Sequence, residues 1–208
     1  DGNISLSGSS GMMDYTIGLV GGGFARGSDG PAIFTNAAGA ADSRYNAQSA
    51  TFSRPELSAG LGFNLGGGTT ANLNLSGGTQ IFRSREQEAR IAGNPLPAFD
   101  EHFRTWNNEW FYELSGDIEF SFGPGQLKLI ALEAFEHGNF RTQSLLELGT
   151  LADSGSRFTR VNDAGERIAR GEYRVALGGV DWQLSAEAAF NRLDQVGSLF
   201  SYDDPVGS

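Results

Sequence analysis

The sequence predicts an all-β fold, an antiparallel up-and-down meander of about eight long strands that forms part of a transmembrane β-barrel. Three observations predict it. Eight stretches alternate apolar and polar residues with a period of two, which is the period of side chains along a β-strand. Four short glycine-rich turns pair these stretches into hairpins, and long polar connections join the hairpins on the opposite side.

The clearest strand covers residues 112–122. One side carries Tyr112, Leu114, Ile118, Phe120 and Phe122, and the other carries Glu113, Ser115, Asp117, Glu119 and Ser121. Unpaired carboxylates are too costly to bury in a dry core, and large apolar side chains are unfavourable in water. A wall with lipid on one side and water on the other satisfies both sides of this strand.

Other stretches repeat this alternation, at residues 15–19, 57–65, 73–81, 173–177 and 182–190. We expect Leu61, Phe63, Leu114, Ile118, Phe120, Leu177, Leu184 and Ala186 to face lipid from a convex surface. We expect Glu113, Asp117, Glu119 and Glu187 to face the interior. In residues 127–136 both sides carry apolar residues, which predicts a bulge or a register change near Ala131.

The strand lengths favour a membrane wall over a soluble β-sandwich. Strands of about eleven residues, rising about 3.3 Å per residue and tilted by about 40°, cover the apolar height of about 25 Å in outer-membrane barrels. Sandwich strands also alternate, but they are commonly about five or six residues long. The polar side of these stretches also carries too few Val, Ile and Leu residues to fill a sandwich core.

Turns and connections predict the topology. Short turns are expected at residues 8–14, 66–69, 123–126 and 179–181, and long loops at 27–54, 85–105 and 142–170. Outer-membrane barrels place short turns in the periplasm and long loops outside. On that count the chain starts and ends outside, and residues 203–208 form a loop. We therefore expect a single domain over residues 1–208, an internal part of a larger barrel without its plug or terminal strand.

Composition and motifs exclude several functions. The chain has a net charge of −10, which argues against nucleic acid as a partner, and no cysteine. No catalytic or cofactor-binding constellation is recognisable, so we expect no enzyme and no cofactor. His102 and His137, placed in or beside loops, are too few to form a compact soft-ligand site, so we expect no metal.

Two sets of residues are candidates for ligand contact. The possible lumen-facing wall consists of Asn72, Asn74, Glu113, Asp117, Glu119, Gln183, Glu187 and Asn191. The possible outer-loop contacts are Trp106, Phe103, Phe140, Arg141 and Arg160, because aromatic faces and guanidinium groups suit ferric chelates, glycans and aromatic metabolites. A hydrated wall pairing with plug arginines, and loops packing on loops, remain the alternatives for the two sets.

Aromatic residues predict two girdles at the membrane interfaces. Trp110, Tyr112 and Tyr173 are expected near the loop ends of their strands. Phe120, Phe122 and Trp182 are expected near the turn ends.

Four segments carry a resemblance to a known family: residues 4–16 (ISLSGSSGMMDYT), 107–117 (NNEWFYELSGD), 170–174 (RGEYR) and 181–191 (DWQLSAEAAFN). Along essentially its whole length the chain resembles the barrel of TonB-dependent outer-membrane receptors of Gram-negative bacteria. A TonB box, a plug and a final strand are absent, so the resemblance assigns no plug residue. It implies a parent barrel of about 22 strands, of which these eight form about a third.

The resemblance implies a transporter that binds a scarce nutrient, such as a ferric chelate, a cofactor or a glycan, and imports it. Its partners would be outer-membrane lipid, a TonB-type energy transducer acting through the plug, and the nutrient ligand. Two alternatives stay open. One is a small passive eight-stranded outer-membrane barrel, acting as an adhesin or structural anchor, with side chains filling its interior. The other is a soluble, lectin-like β-rich binder.

Overall fold

The computed structural model describes residues 1–35, 37, 39, 41–90, 98–149 and 152–203. The strands are β1 (Gly2–Ser10), β2 (Met13–Thr35), β3 (Ala41–Gly66), β4 (Thr69–Arg90), β5 (Phe99–Phe122), β6 (Gly125–Glu147), β7 (Ser154–Leu177) and β8 (Val180–Asp203). The described residues form no helix, and so none that is long and apolar enough to cross a membrane. Residues 204–208 of the predicted terminal loop lie outside the described residues.

All eight strands belong to one sheet, and each pairs antiparallel with its neighbours in the sequence. The predicted fold class, an all-β antiparallel meander of eight long strands, is confirmed. Within the described residues the sheet is open, because β1 pairs only with β2 and β8 only with β7.

Four two-residue turns join the hairpins; three lie within the predicted ranges, and the fourth begins one residue before its predicted range, 179–181. They occupy residues 11–12, 67–68, 123–124 and 178–179. In the second turn Gly67 and Gly68 have φ angles of 61° and 78°. A tight hairpin turn with positive φ at both positions suits glycine, which adopts this conformation without a steric cost.

The predicted long loops are wrong. The strands from β2 onwards are 22 to 26 residues long, and they take up most of residues 27–54, 85–105 and 142–170. The error has a physical cause. In these regions both sides of the strands carry polar residues, so alternation is lost, yet the backbone pairing continues without it.

The predicted irregularity near Ala131 is also wrong. Ala131 pairs directly with Gly116 on β5 and with Ala169 on β7, in unbroken register. No bulge is needed, because Glu133 on the apolar side pairs with Arg167 on the neighbouring strand at 3.0 Å. The register shift on β3 lies instead between Asn64 and Gly66, beside a turn.

The sheet has two faces, named here by one residue of each. The pairing register places all eight residues expected to face lipid on the Leu114 face, and Glu113, Asp117, Glu119 and Glu187 on the Asp117 face. Among the described residues no hydrophobic side chain is buried, and Leu6, Leu57 and Leu184 are 61%, 54% and 64% exposed. This single layer therefore has no dry core of its own.

The sheet also has two halves. The turn-proximal half is the part beside the four two-residue turns, and the distal half is the part beside the other three connections. On the Leu114 face the turn-proximal half is mostly apolar, and we call this region the apolar band. It includes Ile17, Leu19, Leu57, Leu61, Phe63, Leu73, Leu75, Leu114, Ile118, Phe120, Leu127, Leu129, Val175, Trp182, Leu184 and Phe190.

The predicted aromatic girdles are only partly correct in position. Tyr173 lies near the turn end of β7, not the loop end, with its ring 6.2 Å from that of Phe122 and its hydroxyl donating to the Phe122 carbonyl. Trp110 and Tyr112 lie in the middle of β5 and pack against Phe135 at 5.1 and 5.9 Å. The strands continue beyond this cluster, which therefore marks the edge of the apolar band and not the end of the sheet.

Candidate functional site

All eight residues of the predicted wall lie on the Asp117 face. They come from β4, β5 and β8, and the register brings Asn72 opposite Asp117 and Asn74 opposite Ser115. Gln183, Glu187 and Asn191 follow one another on the same side of β8. Because β6 and β7 lie between β5 and β8, their polar residues complete the surface.

Asp117 is the centre of a first polar group. The Asn72 side-chain amide donates to both of its carboxylate oxygens, at 3.2 and 3.3 Å, and the Lys128 ammonium lies 3.3 Å away. These contacts join β4, β5 and β6. They hold the carboxylate in place while its side chain keeps 19% exposure to the open side of the sheet.

Glu172 is the centre of a second polar group and, at 7% exposure, the one buried polar residue among those described. Arg170 and Arg174 flank it on the same strand, at 2.7 and 3.2 Å. Gln183 donates to it at 3.5 Å, and Arg170 also lies 3.8 Å from Glu187. Two of the predicted wall residues are therefore tied into one ionic network with β7.

Sequence reasoning missed the basic half of this surface. Lys128, Arg170 and Arg174 were not among the predicted wall residues, although they are the positive charges that pair with Asp117, Glu172 and Glu187. The signal was present, because Arg170, Glu172 and Arg174 alternate at a spacing of two and must share one side of a strand. Which residues of the neighbouring strands lie beside Arg170, Glu172 and Arg174 could not be predicted without the register.

The middle of the Asp117 face carries carboxylates that form no hydrogen bond or ion pair with any described residue. Glu113 and Glu166 both lie opposite Ala134, one on each neighbouring strand, and Glu136 follows two residues later. With Asn191 they line one shallow depression. Such a surface is well hydrated and negative, and it favours cations and hydroxyl-bearing solutes over anions.

The predicted outer-loop contacts do not lie in loops. Phe103, Trp106, Phe140, Arg141 and Arg160 all belong to strands of the distal half, and they are divided between the two faces. Trp106 and Arg141 lie on the Leu114 face, where the guanidinium sits 4.7 Å from the ring centroid. Phe103, Phe140 and Arg160 lie on the Asp117 face, where Arg160 sits 5.4 Å from the Phe140 ring. They therefore do not form one ligand site.

The distal end of the Asp117 face is held together by an ionic cluster of β3 and β4. Asp42 accepts hydrogen bonds from Arg90 at 2.8 Å and from Arg44 at 2.8 Å, and Arg44 also binds Glu88. The hydrogen bonds from Arg90, and then those from Arg44, lower the pKa of Asp42 below its usual value. Arg90 also stacks 4.6 Å from the Phe99 ring, which ties the cluster to β5.

One group of possible metal ligands lies on the distal Leu114 face, formed by Asp100, His102 and Glu147. Each offers one ligand atom, and these atoms lie within 4.8 Å of one another. Gln87 donates to both Asp100 oxygens at 3.0 Å and so orients that carboxylate. Such a nitrogen and oxygen donor set suits ions such as Zn²⁺ or Mn²⁺. From the sequence, a loop metal site at His102 beside Asp100 was conceivable but was set aside in favour of exposed loop histidines. The third ligand was missed, because the pairing of Asp100 with Glu147 depends on strand register.

No family model matches this chain, and no curated protein matches it. Among solved structures, the chain is similar to Pseudomonas aeruginosa OccK10 at 13% identity and a TM-score of 0.16, covering 96% of this chain and 91% of that one. It is similar to the Ralstonia pickettii toluene transporter TbuX at 8% identity and a TM-score of 0.13, covering 99% and 81%. Scores this low carry no conclusion about the fold or function of this chain.

Proposed function

We propose that this chain forms part of the wall of a TonB-dependent outer-membrane transporter that imports a scarce nutrient. The observation that carries the membrane part of the proposal is the apolar band on a face that nothing in the sheet covers. Phe190, Leu184 and Trp182 on β8 are 62%, 64% and 56% exposed, and Leu75 on β4 is 47% exposed. A bilayer covers such a band at no cost in strand pairing.

The opposite face supports the orientation. Asp117, Lys128, Arg170, Glu172 and Glu187 form ionic groups on this face, and placing all of them in hydrocarbon would cost far more than the single Glu133–Arg167 pair of the Leu114 face. A slip of one residue in register would exchange the apolar and the charged residues between the two faces. The apolar pattern of one face and the charged pattern of the other therefore support the same orientation. In the proposed orientation the Asp117 face lines a water-filled interior.

Strand length supports a wall that rises beyond the bilayer. A strand of 24 residues, such as β5, extends about 80 Å and, tilted by about 40°, still rises about 60 Å. The apolar band accounts for about 25 Å of that height. The distal half then forms the wall of an external vestibule, in which a ligand can be held before transport.

The transport part of the proposal draws on the family resemblance and on the hydrated Asp117 face. A surface with free carboxylates and held ion pairs suits contact with water, a polar plug or a hydrophilic solute. In this proposal the chain performs no covalent chemistry and binds no cofactor or nucleic acid. Energy would come from a periplasmic transducer acting through the plug.

Deletion of the parent gene tests the proposal. We expect impaired growth and reduced uptake on one chelated metal, cofactor or glycan source in a broad panel, restored by the wild-type gene. Unchanged growth and uptake throughout the panel would contradict transport. If the folded protein nonetheless extracts from membranes only with detergent, a passive outer-membrane barrel is the remaining function. Extraction into buffer without detergent would favour the soluble binder.

A further inference from the structure

Five arginines lie together on the Leu114 face beyond the apolar band, and we call them the arginine belt. They are Arg83 and Arg85 on β4, Arg104 on β5, Arg141 on β6 and Arg157 on β7. The register aligns Arg83 with Trp106 and Arg141 in one row across the strands, and Arg85 with Arg104, Gln143 and Arg157 in the next. Four of the five are exposed, and Arg83 is half-buried.

Among the residues that the structure describes, the belt has no anionic partner. The ion pairs formed among the described residues involve none of its five arginines. This is notable in a chain with 25 acidic and 15 basic residues, where carboxylates are in excess. Arg85 and Arg104 lie directly opposite one another, and like charges in that arrangement destabilise a sheet.

The contacts that the belt does make leave its charge uncompensated. Arg141 stacks over Trp106 at 4.7 Å, and Arg157 stacks over Phe200 at 4.6 Å. Arg83 donates to the backbone carbonyls of Phe82 and Asn107. Ring faces and carbonyls fix the orientation of guanidinium groups but do not neutralise them. The belt is therefore an arranged positive surface in an otherwise acidic protein.

The position of the belt indicates which anions it faces. Trp110, at the edge of the apolar band, and Trp106, in the first row of the belt, lie four residues apart on the Leu114 face of β5, which is about 10 Å of height for a strand tilted by about 40°. In the proposed membrane orientation the belt stands just outside the hydrocarbon, at the level of the lipid headgroups. Arginine forks bind phosphate with paired hydrogen bonds, and basic residues beside a membrane attract anionic lipids.

We propose that the arginine belt binds the phosphate groups of phosphorylated lipids in the leaflet around the outer edge of the apolar band. This rests on the proposed membrane orientation. Beyond the proposed function, it assigns phosphorylated lipids as a specific partner and the arginine belt as their binding site. The phosphates would compensate the Arg85–Arg104 repulsion and fix the height of the wall in the bilayer.

Lipid titration tests the site. The parent barrel that contains this chain is reconstituted in phosphatidylcholine nanodiscs, and a fluorescent diphosphorylated glycolipid is titrated in. The triple variant R85Q/R104Q/R157Q removes one row of the belt. We expect about 100-fold weaker glycolipid binding, because each basic residue near an anionic lipid surface contributes about fivefold. Binding by the wild type should also weaken as salt is added.

The matched control removes the same charge from the other face. The variant R26Q/R54Q/R160Q changes three arginines of the Asp117 face and should bind the glycolipid within about twofold of wild type. Equal losses in the two variants, or no loss in the belt variant, would overturn the proposal. So would inorganic phosphate or a DNA oligonucleotide that binds the detergent-solubilised protein as tightly as the glycolipid binds the nanodisc form. Failure to insert into nanodiscs at all would overturn the membrane orientation and the proposal together.

Discussion

The two halves of the Leu114 face belong to the same strands but have different chemistry. In the turn-proximal half, residues such as Leu61, Leu114 and Ile118 alternate with polar residues of the opposite face. In the distal half the same face carries Arg85, Arg104 and other polar groups. Backbone pairing continues across the boundary in the same register, interrupted only between β3 and β4 at Arg54 and Pro55 among the described residues, so strand formation does not depend on the alternation. The alternation depends instead on whether the two faces of that half contact different surroundings, lipid on one side and water on the other.

An arginine substitution on each side of the boundary should show the largest difference. Ile118→Arg places a charge in the apolar band and should lower the free energy of unfolding by about 2–4 kcal/mol, as for arginine on the lipid face of a barrel. Val161→Arg makes the same kind of change on the distal Leu114 face, where Val161 is 41% exposed, and should cost less than about 0.5 kcal/mol. Urea titration of the protein folded in phosphatidylcholine vesicles measures both.

Ser115→Arg supplies the control for the opposite face within the same half of the sheet. It lies on the Asp117 face of the same strand as Ile118 and should also be mild. Equal destabilisation by Ile118→Arg and Val161→Arg would show that the Leu114 face has no boundary between a lipid-contacting half and a water-contacting half. A Ser115→Arg variant that is less stable than Ile118→Arg would show that the Asp117 face, and not the Leu114 face, contacts lipid.

Ion pairs on the two sides of the boundary should differ next. Glu133 and Arg167, 3.0 Å apart, lie within the apolar band, whereas Arg192 and Asp194 lie beyond its end on β8. Glu133→Ala leaves Arg167 unpaired against lipid and should cost roughly 2 kcal/mol. Asp194→Ala should cost less than about 1 kcal/mol, as for exposed pairs.

The double variant Glu133→Ala with Arg167→Ala separates the lost pair from the exposed charge. It should recover most of the stability lost by Glu133→Ala, because no unpaired charge remains in the band. Vesicle unfolding measurements on the three variants test this. A double variant no more stable than Glu133→Ala would show that Arg167 does not meet hydrocarbon.

The smallest expected effect is at the distal end, where Asp42 is paired with Arg90 and Arg44. Its pKa is lowered on folding, so its contribution to stability is present above the ordinary value of 3.8 and is lost as the pH falls through the lower folded value. Hydrogen exchange of the distal ends of β3 and β4, measured relative to the intrinsic rate at each pH, should therefore accelerate below pH 3.8. In Asp42→Asn that acceleration should be absent, with little change in the turn-proximal half.

Much of the fold could be predicted from the sequence, for a physical reason. Where one face contacts lipid and the other contacts water, as around Leu114 and Asp117, the alternation of residue types predicts both the strand and the face on which each residue lies. Glycine pairs such as Gly67–Gly68 record the turns, because positive φ favours this residue. Where both faces meet water, as around Arg104 and Phe140, neither signal exists, and the strands were mistaken for loops.

The candidate site was predictable only in part. The wall residues were predicted to share one face, and they do. This could be predicted because side chains alternate between the two faces along each strand, whichever strands pair with it. The ionic network around Glu172 and the approach of Glu147 to Asp100 depend on which residue lies opposite which. That register is set by the whole sheet and cannot be read from one strand.

In the proposed orientation the turn-proximal Leu114 face contacts lipid and the Asp117 face contacts water. Because the chain contains no cysteine, Leu114→Cys and Ser115→Cys each give one spin-labelling site, on adjacent residues and opposite faces. Power-saturation electron paramagnetic resonance in vesicles should show the label at residue 114 relaxed by oxygen and protected from an aqueous nickel chelate. The label at residue 115 should show the reverse. Two labels equally accessible to the nickel chelate, or an exchange of the two patterns, would contradict this orientation.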